Sequence, residues 1–146
     1  MKTTDYNLEE SLGYVIGRAG RSMANRLNQN FEKAGYDVTC EQWAILMNLW
    51  HKNGQSQKEL AGITCKDKTS ITRLLDGLEK KNLVVRTPGK KDARQKFIYL
   101  TNQGKAFQQK LLQLVKQTLA EARKGIRARD LKICKDVLRQ VARNLN

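Results

Sequence analysis

A mainly α-helical chain with one small β-hairpin past its middle is expected from three features. Apolar side chains recur at three- and four-residue steps through most of the 146 residues, as they do in helices that bury one face. That rhythm breaks between Val84 and Leu100, where β-branched and aromatic residues flank a Pro-Gly turn. Pro88 is the single proline, which argues against a loop-rich architecture.

In the first third, Leu8, Leu12, Val15, Ala19, Met23, Leu27 and Phe31 form one stripe of a long helix ending at Lys33-Ala34-Gly35. Gly13, Gly17 and Gly20 interrupt it, each at a cost of up to about 1 kcal/mol relative to alanine. Glycines grouped on a face permit close backbone approach, so a packing or subunit contact is expected, with ligand lining as the other reading. Thr39 and Gln42 form a T-x-x-Q capping box for a second helix, with Trp43, Leu46, Met47 and Trp50 as its expected buried face and Asn53-Gly54 as its stop. Ser56 and Glu59 form another box, opening a short third helix through Ala61. After a turn from Gly62 to Lys66, Asp67 is the expected N-cap of a fourth helix. Its core face is Ile71, Leu74, Leu75 and Leu78, and Asn82 is suited to the left-handed closing position.

Strands Val84–Thr87 and Lys96–Leu100 then bracket the basic tip Pro88-Gly89-Lys90-Lys91-Asp92. Thr101 caps the next helix, striped by Leu112, Val115, Leu119, Ala122 and Ile126. A last helix carries Leu131, Cys134, Leu138, Val141 and Leu145, and Cys134 is expected to be buried there.

Charge narrows the function. Twenty-eight Lys and Arg oppose fourteen Asp and Glu, a net +14 that attracts nucleic acid first and acidic membrane surfaces second. Residues 1–57 are neutral, with six charges of each sign, whereas residues 58–96 carry +6 and residues 97–146 carry +8. A solvated, solubilising surface is the bland account of the last block. Other classes drop out. Apolar runs are too short to span a bilayer, and MKTTDYNLEE lacks the apolar stretch of a secretory signal. At 40% hydrophobic residues the chain is no disordered polycation. Three cysteines in no close pair fit a reducing cytoplasm rather than a disulfide framework. His51 is the only histidine, and no His/Cys/carboxylate cluster has metal-ligand spacing. Neither a G-x-S-x-G elbow, a phosphate-binding P-loop nor a dinucleotide G-x-G-x-x-G occurs, so a non-enzyme without cofactor is expected.

Residues 56–100 read as a winged helix-turn-helix: short helix, tight turn, helix, hairpin. In residues 68–80 the apolar four lie on one side, with Thr69, Arg73, Asp76 and Lys80 opposite and Ser70 and Thr72 flanking. Hydroxyls and a guanidinium on such a face suit base edges and phosphates. Lys66 and Lys68 add charge at the helix start, where backbone N–H groups favour a phosphate. An ordinary amphipathic helix has a similar face. The hairpin tip adds weight, with Lys90, Lys91, Arg94 and Lys96 within seven residues. A narrow loop bearing Arg94 suits a minor groove, with Asp92 orienting the arginine. A basic, solubilised turn is the alternative, and the two motifs in series favour DNA.

Asp92-Ala93-Arg94 followed by Ile98-Tyr99-Leu100-Thr101-Asn102-Gln103-Gly104 resembles the wing signature D-x-R…L-T-x-x-G of the MarR family of winged-helix regulators. Ser70 to Val84 (SITRLLDGLEKKNLV) is similar to that family's recognition helix and exit, and Thr39 to Trp43 (TCEQW) to the start of its second helix. The resemblance covers nearly the whole chain. Asn82 stands where the family commonly has glycine, and Cys40 replaces a proline.

The resemblance implies a single domain, 1–146, with a DNA-binding lobe at 37–101 and a helical dimerisation module from 1–35 and 102–146. It also implies a homodimer on a pseudo-palindromic operator, with the fourth helix in the major groove and Arg94 in the minor groove. A cytoplasmic repressor released by a small aromatic or lipophilic effector is the expected function. Trp43, Met47, Trp50 and Tyr14 are candidates to line an effector pocket, although such residues are also ordinary core. Cys40 at a helix start and Cys65 beside Lys66 are candidate redox sites, with packing as the plainer reading. A sequence-nonspecific architectural protein and a nucleic-acid enzyme accessory are the rival classes.

Overall fold

The computed structural model describes residues 2–64 and 67–146, which form seven α-helices and three short strands. They are α1 (Leu12–Lys33), α2 (Cys40–His51), β1 (Gln55–Ser56), α3 (Gln57–Ile63), α4 (Lys68–Lys80), β2 (Val84–Pro88), β3 (Lys96–Leu100), α5 (Asn102–Ala106), α6 (Gln108–Ala122) and α7 (Ala128–Leu145). The mainly helical character and the wing match the sequence reading.

Both capping boxes form. The Gln42 N–H donates to Thr39 Oγ1 at 3.1 Å while the Thr39 N–H donates to Gln42 Oε1 at 3.2 Å. Ser56 and Glu59 repeat the exchange at the start of α3. Asn82 closes α4 with φ of 59°, the left-handed conformation that asparagine tolerates.

The sheet is antiparallel, in the order β1-β3-β2. β2 and β3 pair from Val84↔Leu100 at the root to Pro88↔Lys96 near the tip. Pro88 sits at the end of an edge strand, where its missing N–H breaks no interior ladder. The hairpin expected from sequence thus gains a third strand. Gln55 and Ser56 pair with Ile98 and Phe97, and the Asn53 side chain accepts the Leu100 N–H at 2.9 Å.

The core belongs to the lobe. Ile45, Leu46, Leu49, Leu60, Ile71, Leu75, Leu78, Leu83 and Ile98 are enclosed, joined by Leu27 and Phe31 from the end of α1 and by Leu111 and Val115 from α6. Trp43, Met47 and Trp50 are half-buried, so Ile45 and Leu49, not the tryptophans, make the deepest face of α2. Beyond the core α1 and α6 stay paired through polar groups. Asn30 Nδ2 donates to Thr118 Oγ1 at 2.8 Å and to Glu121 Oε1 at 3.3 Å, and Arg26 donates to Glu121.

Five further expectations are corrected. Leu8 lies in a separate 3-10 turn, Leu8–Glu10, because the Ser11 hydroxyl accepts the Tyr14 N–H and starts α1 after it. α3 continues to Ile63, two residues past the expected end. The helix after Thr101 divides at Phe107, whose ring packs edge-on against Tyr36 at 5.1 Å. α6 buries Leu111, Val115 and Thr118, so its inward face is rotated from the expected stripe, leaving Leu119 exposed and Ile126 beyond the helix. Finally, no residue of α7 is buried, and Cys134 is exposed. Ile133, Val137, Leu138 and Leu145 on that helix are exposed too.

Candidate nucleic-acid interface

The start of α4 is built by Asp67, whose Oδ1 accepts the Ser70 N–H at 2.7 Å. That bond holds the Asp67 carboxyl below its ordinary pKa, so the cap stays ionised. Next to it, Gln57 Nε2 of α3 donates to Thr72 Oγ1 at 2.7 Å, and the Thr72 hydroxyl donates to the Lys68 carbonyl at 2.8 Å. The Thr72 hydroxyl therefore ties α3 to α4. Lys68, Thr69 and Arg73 are exposed on α4, and Ser70 is partly so. Lys66 and Cys65 lie outside the described residues.

The wing tip closes on itself. The Gly89 N–H donates to the Gln95 carbonyl at 2.7 Å, and the Gln95 N–H to the Asp92 carbonyl at 3.1 Å. A Cβ at position 89 would lie 2.7 Å from the Asp92 carbonyl oxygen, which explains the glycine. Asp92 Oδ1 accepts both the backbone N–H of Arg94 at 3.0 Å and its Nε at 3.2 Å. These bonds hold the Asp92 carboxyl below its usual pKa. The carboxylate orients the arginine while leaving its side chain 92% exposed. Lys90 and Lys91 are exposed beside it, and Lys96 donates to the Ala93 carbonyl at 3.1 Å.

Sequence reasoning placed Asp76 on the open face of α4 but missed its partner. Arg86 of β2 donates to both Asp76 and Glu79, so the acids of this surface are occupied from within. A signal was present. Arg86 is two residues beyond the buried Val84, and alternation along a strand puts both on one face. The resulting surface presents Lys68, Arg73, Lys90, Lys91 and Arg94 toward solvent, a set of cations suited to phosphates and base edges.

The remaining candidates diverge. Trp50 Nε1 donates to the Gly104 carbonyl at 2.9 Å, a structural contact, while the Trp43 indole N–H is buried with no acceptor among the described residues. One surface concavity lies along the first part of α1 and another against the 4–9 segment that precedes it, with Tyr14 lining both. Cys40 is half-buried, its N–H donating to Asn28 Oδ1 at 2.7 Å. Among the described residues no cluster of metal-binding side chains occurs, and no helix is long and apolar enough to cross a membrane.

Known proteins resemble this chain in sequence and shape. The sequence pattern of the MarR family matches residues 38–96. The HTH-type transcriptional regulator MhqR of Bacillus subtilis is 26% identical over 130 residues, spanning 89% of this chain and 88% of that protein. Other curated relatives align over about half of their own length. A mutant MarR from E. coli, crystallised with operator DNA, is 26% identical with a TM-score of 0.84, over 93% of this chain and 99% of that one. CouR from Rhodococcus jostii, bound to p-coumaroyl-CoA, shares the fold with a TM-score of 0.79 at 23% identity, over 94% and 96% of the two chains.

Proposed function

This chain belongs to the MarR family of winged-helix transcriptional regulators, a non-enzymatic DNA-binding family, and from that premise we propose that it is a homodimeric repressor released by a small aromatic or lipophilic effector. One observation carries the DNA-binding part. Lys68 and Arg73 on α4, and Lys90, Lys91 and Arg94 on the wing, are exposed while the neighbouring carboxylates are engaged by protein donors. α4 enters the major groove, where Thr69, Ser70 and Arg73 meet base edges or phosphates. Lys66 and Lys68 pair with phosphates, Arg94 enters the minor groove, and Lys90 and Lys91 flank it. Thr72 holds the helix at its angle, a role that its two hydrogen bonds support.

Pairing of two chains is supported by α7, where no residue is buried against the other described residues and Ile133, Val137, Leu138 and Leu145 are exposed. The two recognition helices of such a pair would read half-sites separated by about 34–36 Å or a multiple of it. Release follows from population shift, because an effector that binds better to a pair with a different lobe spacing lowers operator affinity. The aromatic acyl group of p-coumaroyl-CoA in a protein of the same fold supports that effector class. Such a regulator works in the cytoplasm, where the DNA is.

The test is selection of bound fragments from genomic DNA against excess random duplex at physiological salt. A single pseudo-palindrome bound some 10³-fold or more above random sequence is expected. Uniform, steeply salt-dependent binding of every fragment would instead identify a nonspecific architectural protein.

A further inference from the structure

Three charged side chains bridge the root of the wing and the recognition helix. Asp76 and Glu79 lie one turn apart on α4, and Arg86 lies on β2, paired in register with Ile98 of β3. The Arg86 guanidinium donates to Asp76 Oδ1 and to Glu79 Oε1, the latter at 3.0 Å. The Arg86 backbone N–H donates to Glu79 Oε2 at 3.3 Å, so both oxygens of one carboxylate grip the strand. The arginine side chain is only 22% exposed, packed into the angle between strand and helix.

We propose that Arg86 is a positioning residue for DNA binding: its clamp on Asp76 and Glu79 fixes the wing relative to α4, so that Arg94 and Arg73 engage one duplex together. The proposal deepens the reading above and rests on it. The mechanical reason lies in the sheet. β1 supports only the Phe97 and Ile98 positions of β3, so the outer part of the wing is a two-stranded ribbon, marginal on its own. From Arg86 to the end of β2 at Pro88 the ribbon extends about 7 Å at a strand rise of about 3.3 Å per residue, and the closed loop of residues 89–95 carries Arg94 beyond it. A swivel of roughly 10° at the root therefore displaces the end of the ribbon by about 1 Å and the loop beyond it by more, enough to break a hydrogen bond to a groove edge.

Charge alone predicts the opposite sign from the clamp, which makes the idea testable. Asp76→Asn combined with Glu79→Gln removes two negative charges beside the DNA surface and on electrostatic grounds tightens binding to any duplex. The clamp reading expects the penalty for Arg94→Ala to collapse in that background, because a loose wing has already lost its contact. The experiment is a double-mutant cycle on the end-labelled selected operator, with urea midpoints confirming that each variant folds. Arg94→Ala is expected to weaken binding about tenfold or more in the parent and less than about threefold without the two acids. Should the double substitution unfold the lobe, Arg86→Lys makes the same comparison, keeping the charge but losing the forked geometry. Equal penalties in both backgrounds overturn the clamp. No penalty in the parent overturns instead the reading that the wing contacts DNA.

Discussion

Replacing Gly104 by alanine should loosen the whole lobe, although alanine is the better helix former. Gly104 lies in α5 with its N–H donating to Thr101 Oγ1 at 3.0 Å and its carbonyl accepting the Trp50 indole. A Cβ there would stand 2.2 Å from the Leu83 carbonyl oxygen and 3.2 Å from Leu100 Cδ2. The carbonyl cannot swing away, because it accepts the Thr101 N–H at 3.0 Å and belongs to the turn between α4 and β2. Relief therefore requires α5 to move by about 1 Å, carrying with it the Trp50 bond and the seat of α6. Overpacking against fixed atoms costs about 1–3 kcal/mol, occasionally more. Alanine regains at most about 1 kcal/mol of helix propensity. A backbone obstacle places the clash at the upper end, for a net loss of about 2 kcal/mol and a drop in Tm of roughly 5–10 °C. Urea unfolding followed by tryptophan fluorescence reads this as a lower midpoint with unchanged slope. Protein concentration must be held constant, since association of chains adds its own stabilisation. A midpoint equal to or above that of the parent would refute the steric argument.

Other surfaces give further tests. Arg73→Ala should cost about 1–3 kcal/mol of operator affinity by fluorescence anisotropy; an equal loss on random duplex would make it a phosphate contact rather than a base reader. Leu138→Glu places a charge among the exposed apolar residues of α7 and should yield a monomer in sedimentation equilibrium, with a folded lobe by circular dichroism. An unchanged mass would remove α7 from the subunit contact. The hydrogen bond from Arg86 holds Glu79 below its ordinary 4.5, so its contribution is present above that pH and is lost as acid protonates the folded carboxylate. The urea midpoint should accordingly fall on acidification below about pH 4.5, and Glu79→Gln should flatten part of that fall; an identical profile in the variant would contradict it.

Local chemistry was legible in the sequence wherever neighbouring residues sufficed to define it. Thr39 with Gln42, Ser56 with Glu59, Asp67 and Thr101 all cap helices where their spacing said they would. Features settled by distant partners were not. β1 has two polar residues, too few for any period, and exists because Asn53 and Gly54 stitch it to β3 across more than forty residues. The rotated face of α6 arises because Asn30 and Arg26 offer Thr118 and Glu121 polar partners, drawing in a threonine where an apolar stripe was expected. Cys134 looked buried because its stripe on α7 is regular, but periodicity reports only which face is apolar, not whether the same chain covers it. In the interface, the wing's exposed cations and the Asp92–Arg94 pair were readable from a seven-residue window. The grip of Arg86 on α4 spans a turn and a change of secondary structure, so it surfaced only in three dimensions.

The division of labour between the lobe and α7 has a genetic corollary. Since α7 contributes nothing to the core formed by the described residues, in the homodimer proposed above an allele damaged only at Arg73 would still make subunits able to pair with intact ones. When both alleles are expressed equally and partners mix at random, only about a quarter of the pairs carry two sound readers. Such an allele would behave as dominant over the wild type, whereas one that spoils α7 would leave the intact subunits to find each other and would be recessive.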